Sequence, residues 1–117
     1  MDREELFNIL LSYIGKEVTV YIDREIGYHH KGIVYELNYG YIKDIISLDN
    51  EYQDAYIIDS VTPLKEVKGT VIAVIKREDD IEDKLVVSIS NQYLSKEEIE
   101  NRVNFQEKYF KHHIVNK

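Results

Sequence analysis

The sequence predicts a mainly β protein: a small antiparallel barrel with helices packed outside it, one near each end of the chain. Three observations predict this. Apolar residues alternate with polar ones over several short runs, the period of a half-buried strand. Those runs are closely spaced, without the intervening helices that a parallel α/β sheet requires. The stretches with helical period and capping residues lie near the chain ends.

The elements follow in order. "DREELFNILLSYIGK" reads as a short helix, with Asp2 as cap, Glu5 at the capping-box position and Leu6, Ile9, Leu10 and Tyr13 along one face. Gly15 stands where a helix C-cap belongs. "EVTVYID" alternates Val18, Val20 and Ile22 and reads as a strand. "REIGYHHKG" is a turn or hairpin loop, and "IVYELNYGYI" is extended, with Gly40 permitting a bend or a close backbone approach. "AYIIDSV" is a strand closed off by Pro63, "GTVIAVIKR" is the strongest strand of the chain, and "KLVVSIS" is another. "SKEEIENRVNFQEKYFKHHIV" reads as one helix throughout, with Ser95 and Glu98 as a capping box. Ile99, Val103 and Tyr109 or Phe110 would line its apolar face.

A chain of 117 residues suits a single domain spanning residues 1–117. Its apolar content, 44% with 10 Tyr and 3 Phe, supports one modest core. A domain of this size buries about two-thirds of its unfolded surface, so association with further copies, a homo-oligomer, is expected. The net charge of -7 argues against nucleic acid, whose binding needs basic surface, and against anionic membranes. There is no Cys, so thiolate chemistry is excluded, and no apolar run nears the ~20 residues of a membrane span. The acidic opening "MDREELF" is unlike a secretory signal, and a cytoplasmic protein is expected.

Two acidic clusters stand out. "SLDNEYQDAY" holds Asp49, Glu51 and Asp54, and "REDDIEDK" holds Asp79, Asp80, Glu82 and Asp83 at the end of a different strand. Asp49 and Glu51 share a face of an extended segment, while Asp54 needs a turn that Asn50 helps to form. Two charges ~4 Å apart repel by about 4 kcal/mol at an effective dielectric of 20. A total stability of roughly 5–15 kcal/mol does not tolerate several such contacts. Either the clusters are two solvated loops, or they meet at one barrel mouth around a cation. Mg²⁺ suits the second case, because it prefers oxygen ligands. The histidine pairs, His29 with His30 in a turn and His112 with His113 near a helix end, are weaker evidence: adjacent strand side chains point to opposite faces and so form no chelate, and the helix dipole equally explains His near a C-terminus. Tyr39 in "NYGY" lies close to the acids and offers a hydroxyl to a phosphate oxygen or to a neighbouring backbone group. No Ser/His/Asp spacing and no P-loop stands out.

"NYGYI", "SLDNEYQDAYI" and "GTVIAVIKREDDIEDKLVV", in that order and spacing, resemble the soluble, Mg²⁺-dependent (family I) inorganic pyrophosphatases. That family carries Asn-Tyr-Gly, then Asp-x-Asp-Pro-x-Asp, then a strand, an acidic loop and a Lys. The resemblance runs from about Val18 to Ser90 and implies an OB-like barrel in a shortened, divergent member. It implies Mg²⁺-dependent hydrolysis of inorganic pyrophosphate. Asp49, Asp54 and Asp79 are then metal ligands, joined by Glu82 if the loop is counted back from Lys84, or by Asp83 if residue type decides. Glu51 activates the attacking water, and Lys84 and Tyr39 contact phosphate. Asp23 matches the acid ending the first strand, and Tyr109 a C-terminal phosphate-contacting Tyr. The family's arginine has no evident counterpart; Lys31 stands in for one basic group and Lys43 or Lys111 for another.

This chain departs from the pattern in having Glu51 for the middle acid and Tyr52 for Pro. Those departures carry the rival reading, a catalytically impaired barrel serving as a metal-binding or protein-interaction module. Hydrolysis of a related phosphoanhydride, such as a nucleotide, is a third.

Overall fold

A computed structural model describes residues 1–116. Its elements are α1 (Arg3–Ser12), β1 (Glu17–Arg24), β2 (His29–His30), β3 (Ile33–Val34), β4 (Asn38–Ile46), β5 (Tyr52–Ile57), β6 (Glu66–Arg77), β7 (Lys84–Ser88), α2 (Lys96–Glu107) and β8 (His112–Asn116). The main sheet runs β1-β4-β5-β7-β6, and β6 pairs back onto β1 to close a five-stranded barrel. Around the barrel one ladder, β5 with β7, is parallel, and the others are antiparallel. The long β6 passes beyond β5 to close on β1. Its hairpin partner β7 then fills the gap between β5 and β6, which sets it parallel to β5. Side-chain alternation carries no record of strand direction.

Both helices start as their caps dictate. Asp2 Oδ1 accepts from the Glu5 amide at 2.8 Å, and Ser95 and Glu98 form the reciprocal capping box. α1 buries Leu6 and Leu10, whereas Ile9, expected on that face, is 38% exposed. The C-terminal stretch differs from the single helix expected: α2 stops at Glu107, and His112–Asn116 form β8 along β6 from Ala73 to Arg77. β1 covers that edge of β6 only as far as Thr70. A bare strand edge beyond it invites pairing, and the β-branched pair Ile114 and Val115 supplies it.

Alternation divides β4, β5, β6 and β7 between two apolar clusters. Ala55 and Ile57, with Leu85 and Val87, pack in the cluster that α1 completes through Leu6 and Leu10. Tyr56 and Ile58, with Tyr39 and Val86, pack in the cluster that α2 completes through Ile99, Val103 and Phe105. β7 is therefore buried at every position, and reads in the sequence as a run rather than an alternation. Gly40 is required by contact: a Cβ there would lie 1.9 Å from the Tyr21 carbonyl oxygen across the β1–β4 ladder. The residues of interest below sit on the α2 side of this wall, at its open end.

Candidate active site

The strand ends build a cleft of about 690 Å³. Tyr39 and Tyr41 of β4 and Tyr52 and Asp54 of β5 project from one face, because residues two apart on a strand share a side. Lys84 enters from the start of β7, Asp23 and Arg24 from the end of β1, and Lys31 from the turn between β2 and β3. Tyr109 and Phe110, just beyond α2, complete the wall.

The floor is a buried ammonium. Lys84 is 2% exposed, and its Nζ donates to Tyr39 Oη at 2.8 Å and to Asp54 Oδ2 at 2.7 Å. Glu82 Oε1 lies 3.7 Å from the same nitrogen. Burial of a charge is costly unless it is paired and hydrogen-bonded, and these partners meet that condition. Burial and the neighbouring Asp54 carboxylate push the Tyr39 hydroxyl well above the usual tyrosine range. It accepts from Lys84 and keeps its own proton to donate.

Arg24 reaches the cleft because β1 carries a bulge. Ile22 pairs with Gly40 and Arg24 with Tyr39, so Asp23 is the extra residue. In a regular strand Asp23 and Arg24 would face opposite sides; here both line the cleft. Arg24 Nη1 donates to Tyr35 Oη at 2.6 Å, and its guanidinium lies over the rings of Tyr35 and Tyr39. Tyr35 donates to Gln106 Oε1, Gln106 donates to Tyr56 Oη at 2.5 Å, and Tyr56 donates to Glu107 Oε2 at 2.6 Å. Glu107, fully buried, is held from the other side by Arg77 through Nε at 3.0 Å and Nη2 at 2.8 Å. This satisfied network fixes Arg24 against α2. Burial opposes charging of Asp23 and raises its carboxyl, with Asp54 adding to the effect and Arg24 resisting it.

The rim is a tight turn. Asn50 adopts φ 64°, the Ser47 amide donates to the Glu51 carbonyl at 2.8 Å, and Asp49 Oδ1 accepts from the Glu51 amide at 3.0 Å. Asp49, Glu51 and Asp54 all line the cleft, and Asn50 makes the turn expected of it. No side-chain hydrogen bond or ion pair holds Glu51 among the described residues.

The second acidic loop divides. Glu82 lines the cleft. Asp79 and Asp83 do not. Asp79 is exposed and accepts from the Lys111 amide at 3.1 Å. Asp83 is 2% exposed, bonded to Arg3 at 2.7 Å and to the Arg77 amide at 3.0 Å, and burial raises its carboxyl. Lys31 and Tyr109 reach the cleft; Lys43 covers the Tyr21 ring instead. The two C-terminal histidines pair with acids, His112 with Glu100 at 2.8 Å and His113 with Glu78.

Among the described residues, no three His, Asp or Glu side chains are gathered closely enough to cage an ion. The carboxylates of Asp49, Glu51, Asp54 and Glu82 nevertheless fit Mg²⁺ in kind. That ion takes oxygen ligands, keeps several waters, and is commonly held by one or two carboxylates plus substrate phosphates. Arg24 is the residue missed in the sequence. Its signal was its place beside Asp23, but two-residue alternation assigns the neighbours to opposite faces, and only the bulge brings both in.

No protein-family model matches the sequence, and no curated protein matches it. Solved structures do. The inorganic pyrophosphatase of Ehrlichia chaffeensis superposes with a TM-score of 0.69 at 14% identity, over 88% of this chain and 87% of the other. That of Helicobacter pylori gives 0.67 at 17% identity, over 92% and 88%. That of Neisseria gonorrhoeae gives 0.61 at 19% identity, over 81% and 74%. The chain has the fold of the inorganic pyrophosphatases.

Proposed function

We propose that the chain hydrolyses inorganic pyrophosphate to two phosphates in the presence of Mg²⁺. One observation carries this reading: the Lys84–Tyr39–Asp54 floor opens onto the Asp49 and Glu51 rim within a single cleft. Lys84, Arg24 and Lys31 supply fixed positive charge for phosphoryl oxygens, and Tyr39 donates a hydrogen bond to one of them. Tyr109 closes on the substrate from the α2 side. Glu51, exposed and unpaired among the described residues, accepts a proton from the attacking water. The water oxygen bonds to one phosphorus, the bond from that phosphorus to the bridging oxygen breaks, and its electron pair leaves on the second phosphate. Asp49 and Asp54, with Glu82, would hold Mg²⁺, which supplies neutralisation of the polyanion and a lowered pKa for bound water.

Phosphate release from pyrophosphate, with and without Mg²⁺, is the test. Metal-dependent release is expected. No release at high protein concentration rejects the activity.

A second reading, a metal-binding or protein-interaction module without turnover, draws on Glu51 in the middle position and on the placement of Asp79 outside the cleft. Metal binding to the folded state raises Tm by mass action. A Mg²⁺-dependent rise in Tm without phosphate release selects that module. Association of the chain with further copies remains part of the proposal on the grounds of size.

A further inference from the structure

The cleft holds more than two phosphoryl groups need. Its 690 Å³ lies within the ~300–1,000 Å³ of pockets that enclose ligands of drug size. Beside the phosphate-directed side chains stands a column of flat rings. Tyr21 and Tyr41 stack with centroids 5.8 Å apart and planes 28° apart, and Tyr41 and Tyr52 stack at 5.4 Å and 11°. The Lys43 ammonium covers the far end, 4.4 Å from the Tyr21 centroid. At the near end no aromatic or cationic group beyond Tyr41 covers Tyr52 among the described residues. Tyr52 is 41% exposed and lines the cleft.

Cross-strand tyrosine pairs stabilise sheets, and that accounts for Tyr21 with Tyr41. Tyr41 with Tyr52 is a diagonal pair of the same kind across β4 and β5, and it leaves Tyr52 partly exposed at the cleft. Tyr52 and Asp54 are two residues apart on one face of β5, ~7 Å along the strand. Asp54 is bonded to Lys84, so an open aromatic surface lies about one sugar's reach from the phosphate-directed floor.

We propose that the cleft accepts a phosphoanhydride bearing a nucleobase, a nucleoside diphosphate, with the base stacked on Tyr52 as the next ring of the column. This rests on the assignment of the floor to phosphate made above. Stacking on an aromatic side chain tolerates any base, so the surface selects for a base and not for its identity.

The test compares ADP with ribose 5-diphosphate, which carries the same phosphates and sugar but no base. Affinities are measured by calorimetry in Mg²⁺ buffer for wild type, Tyr52→Ala and Tyr52→Phe. In wild type ADP should bind about tenfold more tightly than ribose 5-diphosphate. The ratio should fall to about one in Tyr52→Ala and be kept in Tyr52→Phe. Equal affinities in wild type, or a ratio that survives Tyr52→Ala, overturn the stacking. Phosphate release from pyrophosphate, run alongside, separates the two proposals. Release without a base effect removes the stacking alone. A base effect that depends on Tyr52 without release removes pyrophosphate hydrolysis and leaves the stacking standing.

Discussion

The two acid-rich stretches, one before and into β5 and one between β6 and β7, have opposite fates. Between β4 and β5, Asp49 and Glu51 are exposed and face the cleft, and Asp49 spends one oxygen on its own turn. Between β6 and β7, nearly every acid is consumed by the fold. Glu78 pairs with His113, Asp79 accepts from the Lys111 amide, Asp80 pairs with Arg77 at 3.0 Å, and Asp83 pairs with Arg3. Glu82 alone of that group lines the cleft. What distinguishes the loops is the supply of donors around them. Arg3 arrives from α1, Arg77 from β6, and β8 brings its histidines along the β6 edge. Along the first stretch, Lys84 is the one cation in an ion pair among the described residues, and it pairs with Asp54 of β5. The carboxylates the cleft offers to a ligand are thus Asp49 and Glu51, with Asp54 and Glu82 beside Lys84.

This contrast can be broken from several sides. The largest effect is expected at the cation that both loops share. Lys84→Met removes the buried ammonium from Tyr39 and Asp54, and phosphate release should fall by about 10²–10³-fold, the scale of losing one preorganised charge-stabilising donor. Steady-state kinetics check this, with circular dichroism to confirm folding. An unchanged rate would remove Lys84 from the chemistry.

On the structural loop the effect should appear in stability. Arg3→Ala strands the carboxyl of Asp83, which is buried and has one oxygen without a partner among the described residues. A cost of about 2 kcal/mol is expected, seen as a Tm lower by about 8 °C. Asp83→Asn in the same background should recover part of that loss, because it replaces the buried carboxyl by an uncharged amide whose oxygen still accepts from the Arg77 amide. Equal Tm values for wild type and Arg3→Ala would mean that α1 does not latch this loop.

The smallest effect concerns β8. Burial alone would lower the His112 imidazolium, but the Phe110 carbonyl and the Glu100 carboxylate outweigh it and raise the pKa above the ordinary 6.5. The folded state therefore holds this proton more tightly than the unfolded chain. The stabilisation is fully present below 6.5 and is lost as pH rises through the raised value. Tm against pH should fall across that window in wild type and flatten in His112→Gln. Parallel curves would show that the pair contributes nothing.

The barrel was legible in the sequence because short alternating runs and capping residues are local signals. The Ser95–Glu98 box and the Asn50 turn needed no tertiary information. The end of α2 was not legible: residues 108–115 carry a pattern compatible with a helix, and the bare edge of β6 that claims His112–Asn116 exists only in the folded sheet. The acids of the first loop could be placed for the same local reason, by the turn that presents them. Those of the second could not. Asp79, Glu82 and Asp83 are similar in sequence, and their sorting depends on Arg3 and Lys111, far away in the chain. Arg24 was hidden by a single-residue bulge, which reverses the face that strand alternation assigns.

The most direct measurement is Mg²⁺-dependent phosphate release from pyrophosphate by wild type, Asp49→Asn and Asp79→Asn side by side. If the first loop supplies the working carboxylates, wild type turns over, Asp49→Asn loses about tenfold or more, and Asp79→Asn stays close to wild type. Release that falls with Asp79→Asn and survives Asp49→Asn would contradict that division of the two loops.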